Sequence, residues 1–451
     1  MSKVFIGGAA GFAGDRSDAG VPLVRALAQC DGPRFLMYET LAERTLALCQ
    51  VDRRQDPGKG YSAALERLLT PVLRLCHEAG VRIVGNFGAA NPSAAAKKIA
   101  TIARGLGLPI PRIAIVEGDE LALSSAELAL REIGGTLLSR EQSVISANAY
   151  IGAQPIAEAL DRGADIVVTG RVADSALALG PLVHAFKWNL RDLDRLAAGT
   201  LAGHLLECGS QVTGGYFADP GVKDVPGLAE VGYPIAEIEE VGDLVVTKPA
   251  DTGGRVDRLT VIEQLLYEIH DPASYFAPDV VLDLNNVEVR EVDVDRVRVT
   301  GARGKAAPET LKATVCIDAG MLGEAEISYA GINAMKRAAL AADIVRERLS
   351  RRAPKLELRI DAIGALSILG TTGNTDWSSW ETEDVRLRFS AQSHDSDLVE
   401  LMLNEVEALY CAGPAGGAGV RRRKLPRLAS ASCLVERHHV KPRVSFLEDA
   451  S

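Results

Sequence analysis

The chain has 451 residues, 47% of them apolar and 24% charged, a globular balance that excludes a disordered, collagenous or disulfide-scaffold protein and leaves room for two or three domains. Fifty Lys and Arg against sixty Asp and Glu give a net charge of −10, which argues against nucleic acid or an anionic membrane surface as a partner and points to small molecules. Seven cysteines without a C-x-x-C pair indicate neither a disulfide framework nor a zinc ribbon and fit a reducing cytoplasm. The longest uncharged run, 142–157, is too short and too polar to span a bilayer, and residues 4–14 lack the features of a signal peptide, so a cytoplasmic protein is expected.

In chain order, β-branched runs at 3–8, 34–39, 81–86, 111–116 and 165–169 predict strands. Between them, helical spacing of apolar residues predicts helices over 21–29, 41–51, 63–79, 93–105 and 121–133, with another over 189–206. Thr40-Leu41-Ala42-Glu43 has the form of a capping box, and Pro92 suits a first helical turn. This alternation is that of βαβ units, and the expected fold is α/β: a mostly parallel, Rossmann-like sheet over residues 1–206. A glycine-rich interdomain segment follows at 207–258. Residues 259–451 then read as an α+β domain, with strands at 287–292, 296–300, 356–360 and 385–389 and helices at 332–349 and 397–409.

A parallel sheet delivers its βα loops to one edge, so the polar residues that end its strands are the first site candidates. Asp15, Glu39 and Asp174 are expected to act as acids or bases, and Arg16, Asn86, Asn91 and Arg171 to bind substrate, with Glu117 and Asp119 as further strand-end acids. Taken singly, such residues also cap helices and close turns. Gly7 to Gly14 approximates a dinucleotide fingerprint, but the charged Asp15-Arg16-Ser17-Asp18 follows at once, so no nicotinamide is expected; the glycines are read as letting backbone approach a ligand anion. His204 and Glu207, at i and i+3, share a helix face with Cys208 and are expected to form a proton-transfer pair, the alternative being a histidine that complements a helix terminus. Three ligands so close together without a distant fourth make a metal site the weaker reading. Lys248 and Arg255 bracket a Gly-Gly loop and are expected to bind a carboxylate or phosphate; the loop 413–419, running into Arg421-Arg422-Arg423-Lys424, invites the same reading for a diphosphate.

Ile6-Gly7-Gly8 through Gly11-Phe12-Ala13-Gly14-Asp15-Arg16, Asn86-Phe87-Gly88-Ala89-Ala90-Asn91-Pro92, Thr169-Gly170-Arg171, Gly203-His204-Leu205-Leu206-Glu207-Cys208-Gly209 and Thr252-Gly253-Gly254-Arg255 are ordered along nearly the whole chain. Together they resemble the acyclic terpene utilisation AtuA family. The resemblance implies a role in acyclic-terpene catabolism. It also implies a small ferredoxin-fold module, carried by many relatives or encoded beside them, which here would be a separate partner subunit.

The residues and the resemblance together lead to an expected enzyme of carboxylate or acyl-CoA catabolism. It would be a hydratase or lyase working on a branched or terpene-derived acid, or its coenzyme A thioester, by acid–base chemistry. No redox cofactor and no metal are expected, coenzyme A entering only as a substrate carrier, and the protein is expected to be a homo-oligomer. The rivals are a co-catalytic large subunit that needs the ferredoxin-fold partner for activity, and a dehydrogenase.

Overall fold

A computed structural model describes residues 3–121, 131–132, 144–365, 367–368 and 382–448. The chain forms two compact units, Met1–Cys316 together with Ser430–Ser451, and Ile317–Ala429. The glycine-rich segment expected to separate two domains at 207–258 lies inside the first unit. No described helix is long and apolar enough to cross a membrane.

The first unit is built on a ten-stranded sheet. Lys3–Gly8, Arg34–Tyr38, Arg82–Gly85, Ile166–Thr169 and Ile113–Glu117 are neighbours in that order and pair in parallel, with Ile6 beside Phe35 and Ile83 beside Ile166. Their residues are almost wholly buried, as expected where helices cover both faces. The sheet is nevertheless mixed and not mostly parallel. Ile235–Glu239 and Leu244–Thr247, from the glycine-rich segment, form a hairpin that pairs antiparallel with Lys3–Gly8. Arg296–Thr300 and Glu288–Asp293 extend that side, and Arg443–Phe446 pairs antiparallel with Ile113–Glu117 at the other edge. These additions cover the open edges of the parallel strands, whose unpaired N–H and C=O groups would otherwise be exposed.

The expected helix over 63–79 is two, Leu65–Leu69 and Leu73–Ala79, broken around Pro71, whose ring and missing N–H interrupt a helix interior. The helix expected at 121–133 lies mostly outside the described residues, and Arg131–Glu132 within it forms a short strand. The capping box does not form: Glu43–Gln55 starts at Ala42 without a side-chain cap. Asn91 does cap Pro92–Gly105, accepting from the Ala94 N–H at 3.2 Å.

The helix Leu193–Leu206 carries the His204 end of the site and is buried over its last eleven residues, polar ones included. Glycine makes that burial possible: a Cβ on Gly203 would stand 2.4–2.8 Å from the main chain of Ser175. A Cβ on Gly11 would likewise stand 2.5 Å from the Cys208 carbonyl carbon, so this glycine seats the end of the helix.

The second unit, Ile317–Ala429, is antiparallel and α+β. Asp384–Ser393 lies between Leu358–Ile363 and the 321–330 part of Thr310–Ala330 and pairs antiparallel with both. Ala334–Arg352 and Ser396–Glu407 pack on this sheet, burying Ala338, Val345, Phe389, Met402 and Val406 in one core. Here the cations of the 421–424 run are taken up by acids: Arg422 by Glu400 and Glu407, Arg423 by Glu324 and Lys424 by Glu400. A diphosphate cradle built on them is therefore not supported.

Gly203→Ala should lower unfolding stability by about 1–3 kcal/mol, the usual cost of overpacking against backbone that has to shift. Denaturant titration checks this, and an unchanged midpoint would contradict the close approach.

Candidate functional site

The βα loops of the parallel strands converge on a cavity of about 880 Å³. Every residue lining it belongs to the first unit. Asp15, Glu39, Arg171, Asp174 and Glu207, all read from the sequence as site residues, line it. Glu39 follows the second strand and is buried at 6% exposure. Its Oε1 accepts from the Leu41 N–H at 2.7 Å and from Asn86 Nδ2 at 2.9 Å. Asn86 is held in turn by the Thr40 N–H, which donates to its Oδ1 at 2.8 Å, so Asn86 orients Glu39 from outside the cavity lining. Burial, aided by the nearby Asp174 charge, pushes the Glu39 carboxyl up to about 8, overcoming Arg171 and the two hydrogen bonds.

Arg171 is 1% exposed and keeps its charge. Its Nε donates to the Val172 carbonyl at 2.8 Å, Nη1 donates to the Leu41 carbonyl, and Nη2 pairs with Asp174. The guanidinium also lies 4.3 Å from the centre of the Tyr150 ring, and Lys312 Nζ lies 4.7 Å from the same ring. Tyr150 donates to Glu43 Oε1 at 2.8 Å, with Lys312 3.4 Å from that oxygen. Asp119, behind Arg171, accepts from its N–H at 3.0 Å and from Asn148 at 2.8 Å; burial raises it to about 6.

His204 and Glu207 do form a pair, Nδ1 to Oε1 at 2.9 Å, but only Glu207 lines the cavity. His204 is 1% exposed, and its Nε2 donates to the Leu265 carbonyl at 3.2 Å. Since Nε2 must carry hydrogen, the 2.9 Å contact holds one further proton, on the ring or on the carboxyl. Burial works to discharge His204, but the Glu207 charge and the hydrogen bonds to Glu207 and the Leu265 carbonyl together hold the ring above its ordinary value. Burial likewise raises Glu207 against the pull of His204, with Asp174 and Glu268 adding to it. Glu207 Oε2 is buried without a hydrogen-bond partner. Burial and the Glu207 charge push the Cys208 thiol far up, so it is not a thiolate nucleophile.

Asp15 is occupied in folding its own loop: it accepts from the Gly11 and Arg16 N–H groups, each at 2.8 Å, and from the Tyr233 hydroxyl. Besides Asn86, four more residues expected to bind substrate do not line the cavity. Arg16 donates to the Ala229 and Leu228 carbonyls, and Asn91 caps its helix and ties down the Pro57 and Lys59 carbonyls. Lys248 pairs with Asp295 at 3.1 Å and donates to the Thr252 carbonyl, while Arg255 is held by Asp257 and the Asp224 carbonyl. Both cations serve the 248–257 turn, so the anion-binding reading of that loop is set aside.

Sequence reasoning missed Glu43, Tyr150, Lys312, Glu268 and Tyr275, all cavity-lining. Glu43 stood in a pattern that reads as a cap, and the others come from chain segments whose convergence no local pattern announces. Tyr216 and Glu268 hold left-handed backbone, φ +60° and +58°, at the cavity, a conformation uncommon for residues with a Cβ and found more often at functional sites.

The family model described as acyclic terpene utilisation family protein AtuA matches residues 4–446. No curated protein is matched by the sequence. Among solved structures, the de novo designed protein Foldit4 aligns at 9% identity over 24% of this chain and 97% of its own, with a TM-score of 0.18, too low to carry an argument about the fold.

Replacing either member of the buried His204–Glu207 pair leaves the other unpaired, so His204→Gln and Glu207→Gln should each cost about 3–5 kcal/mol of stability. The double variant should cost clearly less than their sum, and strict additivity in a double-mutant cycle would show that the pair is not coupled.

Proposed function

The chain belongs to the acyclic terpene utilisation family, and on that premise we propose that it is an enzyme of acyclic-terpene breakdown, a hydratase or lyase acting on a branched, terpene-derived acid or its coenzyme A thioester. The observation that carries this reading is Glu39, a carboxyl that faces a cavity and is neutral at pH 7. Both of its hydrogen bonds are accepted at Oε1, which leaves Oε2 to carry the proton. Glu39 is thereby a general acid. Glu207, with Oε1 bound to His204 and Oε2 unpartnered, is the complementary base. His204 touches no substrate; it is a positioning residue that fixes the Glu207 carboxyl and balances its charge.

In the hydration direction, Glu39 gives its proton to a carbon of the double bond while water, losing a proton to Glu207, forms the new C–O bond. Proton return from Glu207 to Glu39 through solvent restores the starting state. Dehydration runs the same steps backwards. Asp174 acts on both carboxyls, raising each, and Arg171 holds Asp174 in place. This chemistry needs no redox cofactor, and coenzyme A enters only as the carrier of an acyl group.

The direct test is to incubate the purified chain alone with a branched unsaturated acid and with its thioester in oxygen-labelled water, following incorporation by mass spectrometry. Label in a hydroxyl product supports the reading; substrate binding without water addition or loss would overturn it.

Glu39→Gln separates its catalytic part from its structural one. The rate should fall about a hundredfold or more, the usual contribution of a general acid. In the native protein the folded carboxyl, at about 8, holds its proton more tightly than an unfolded one near 4.5, so stability is full at low pH and declines as pH rises towards 8. The amide lacks that decline, and its stability advantage should grow between pH 5 and 8 by roughly 3–4 kcal/mol. Parallel pH profiles for the two proteins would contradict the neutral acid.

A further inference from the structure

The cavity has a charge character that narrows the kind of bond it can work on. Six carboxyls line it, Asp15, Glu39, Glu43, Asp174, Glu207 and Glu268, against two cations, Arg171 and Lys312. Neither cation is free: Arg171 is bound to Asp174 and two main-chain carbonyls, and Lys312 pairs with Glu43. Two further observations point to what the site would take. Glu207, only 9% exposed, keeps Oε2 without any hydrogen-bond partner while lining the cavity. Aromatic rings, Phe12, Tyr216, Tyr267, Tyr275 and Phe276, share the same lining, and the faces of such rings attract positive charge.

An anion placed here would meet like charge without an available counter-ion, and a conjugate addition that drives charge onto a carbonyl oxygen would find neutral hydroxyl and amide groups but no free cation to take it up. Positive charge meets the reverse: carboxylates, ring faces and a buried carboxylate oxygen that lacks a partner. We propose that the cavity is a binding site for a branched organic cation, and that the reacting bond is accordingly an isolated, trisubstituted C=C, or the tertiary alcohol it interconverts with, passing through positive charge on the tertiary carbon. This rests on the hydratase reading and specifies its substrate: the C=C lies among the acids, and the acid or thioester end of the molecule lies away from them.

The step balances as follows. The O–H bond of Glu39 breaks and its proton forms a C–H bond at the less substituted carbon. The π electrons are consumed in that bond, and the tertiary carbon becomes positive. Water then forms a C–O bond to that carbon and releases its proton to Glu207. The net change is alkene plus water to tertiary alcohol, with no oxidant or reductant. Asp174 and Glu268 line the cavity around the cation, and Arg171 holds Asp174 in place through their ion pair.

Titration calorimetry on the full chain with three probes tests the inference without reading turnover. They are N,N-dimethylhexylammonium, in which nitrogen stands for the positive tertiary carbon, and the neutral tertiary alcohol and the carboxylate of the matching skeleton. The ammonium should bind at least about tenfold more tightly than the alcohol, and the carboxylate more weakly than either. Asp174→Asn and Glu268→Gln should each shrink that preference; Glu268 is exposed at the cavity, so its variant keeps the test open if loss of the Arg171 partner unfolds the other. An alcohol that binds as tightly as the ammonium, a carboxylate that binds best, or a preference untouched in folded Glu268→Gln would overturn the proposal. Hydration of a conjugated thioester by a protein without cation preference would leave the hydratase reading standing and remove this one. A cation preference without any hydration would do the opposite.

Discussion

Arg171 keeps a full positive charge with 1% of its surface in solvent, and a buried guanidinium is tolerable only when its N–H groups find acceptors. The acceptors it uses are the Leu41 and Val172 carbonyls and the Asp174 carboxylate, and its plane lies against Tyr150. One side chain therefore ties the loop after the second strand to the loop after Ile166–Thr169 and to the end of Val144–Ala149. Glu39 sits in the first of these loops and Asp174 in the second, which brings the Asp174 charge to where it helps raise Glu39. Removing the guanidinium would leave Asp174 without its partner and free two loop carbonyls at once, so the cost would fall on the cavity as much as on stability.

The cavity inherits an internal tension from that arrangement. More carboxyls face it than there are cations to pair with them, and burial together with neighbouring charge raises two of them, Glu39 and Glu207, above their ordinary value. That response divides the labour. Glu39 accepts both of its donors at Oε1, which leaves Oε2 for the proton; Glu207 has His204 on Oε1 and a buried, unpartnered Oε2. A site with two chemically identical groups becomes asymmetric through surroundings alone, and asymmetry is what adding or removing water across a bond requires.

Much of this was legible before the structure, and the gaps have physical causes. Five parallel strands are visible as β-branched runs because strands buried on both faces need continuous apolar sequence. The antiparallel additions escaped notice because Ile235–Glu239 and Leu244–Thr247 are short, alternate with charge and lie in glycine-rich surroundings that read as a linker. The long strands Thr310–Ala330 and Ala418–Glu436 were hidden by internal glycines and by a run of cations whose acid partners lie elsewhere in the chain. At the site, strand-end position marked Glu39, Arg171 and Asp174, and helical spacing marked His204 and Glu207. Spacing placed His204 and Glu207 on one face but not the depth of each: one residue lies a layer behind the other. Lys248 and Arg255 misled because a cation beside glycines looks the same in sequence whether it binds a ligand or, as here, a carboxylate of the protein itself, Asp295 for Lys248 and Asp257 for Arg255.

The central claim is that Glu39 carries a proton at neutral pH inside the cavity. Infrared difference spectroscopy of the native protein against Glu39→Gln, recorded from pH 6 to pH 9, tests it most directly. The account predicts a carboxylic-acid C=O band at pH 7 that belongs to Glu39 and gives way to carboxylate bands around pH 8. Carboxylate bands alone at pH 7 would contradict it.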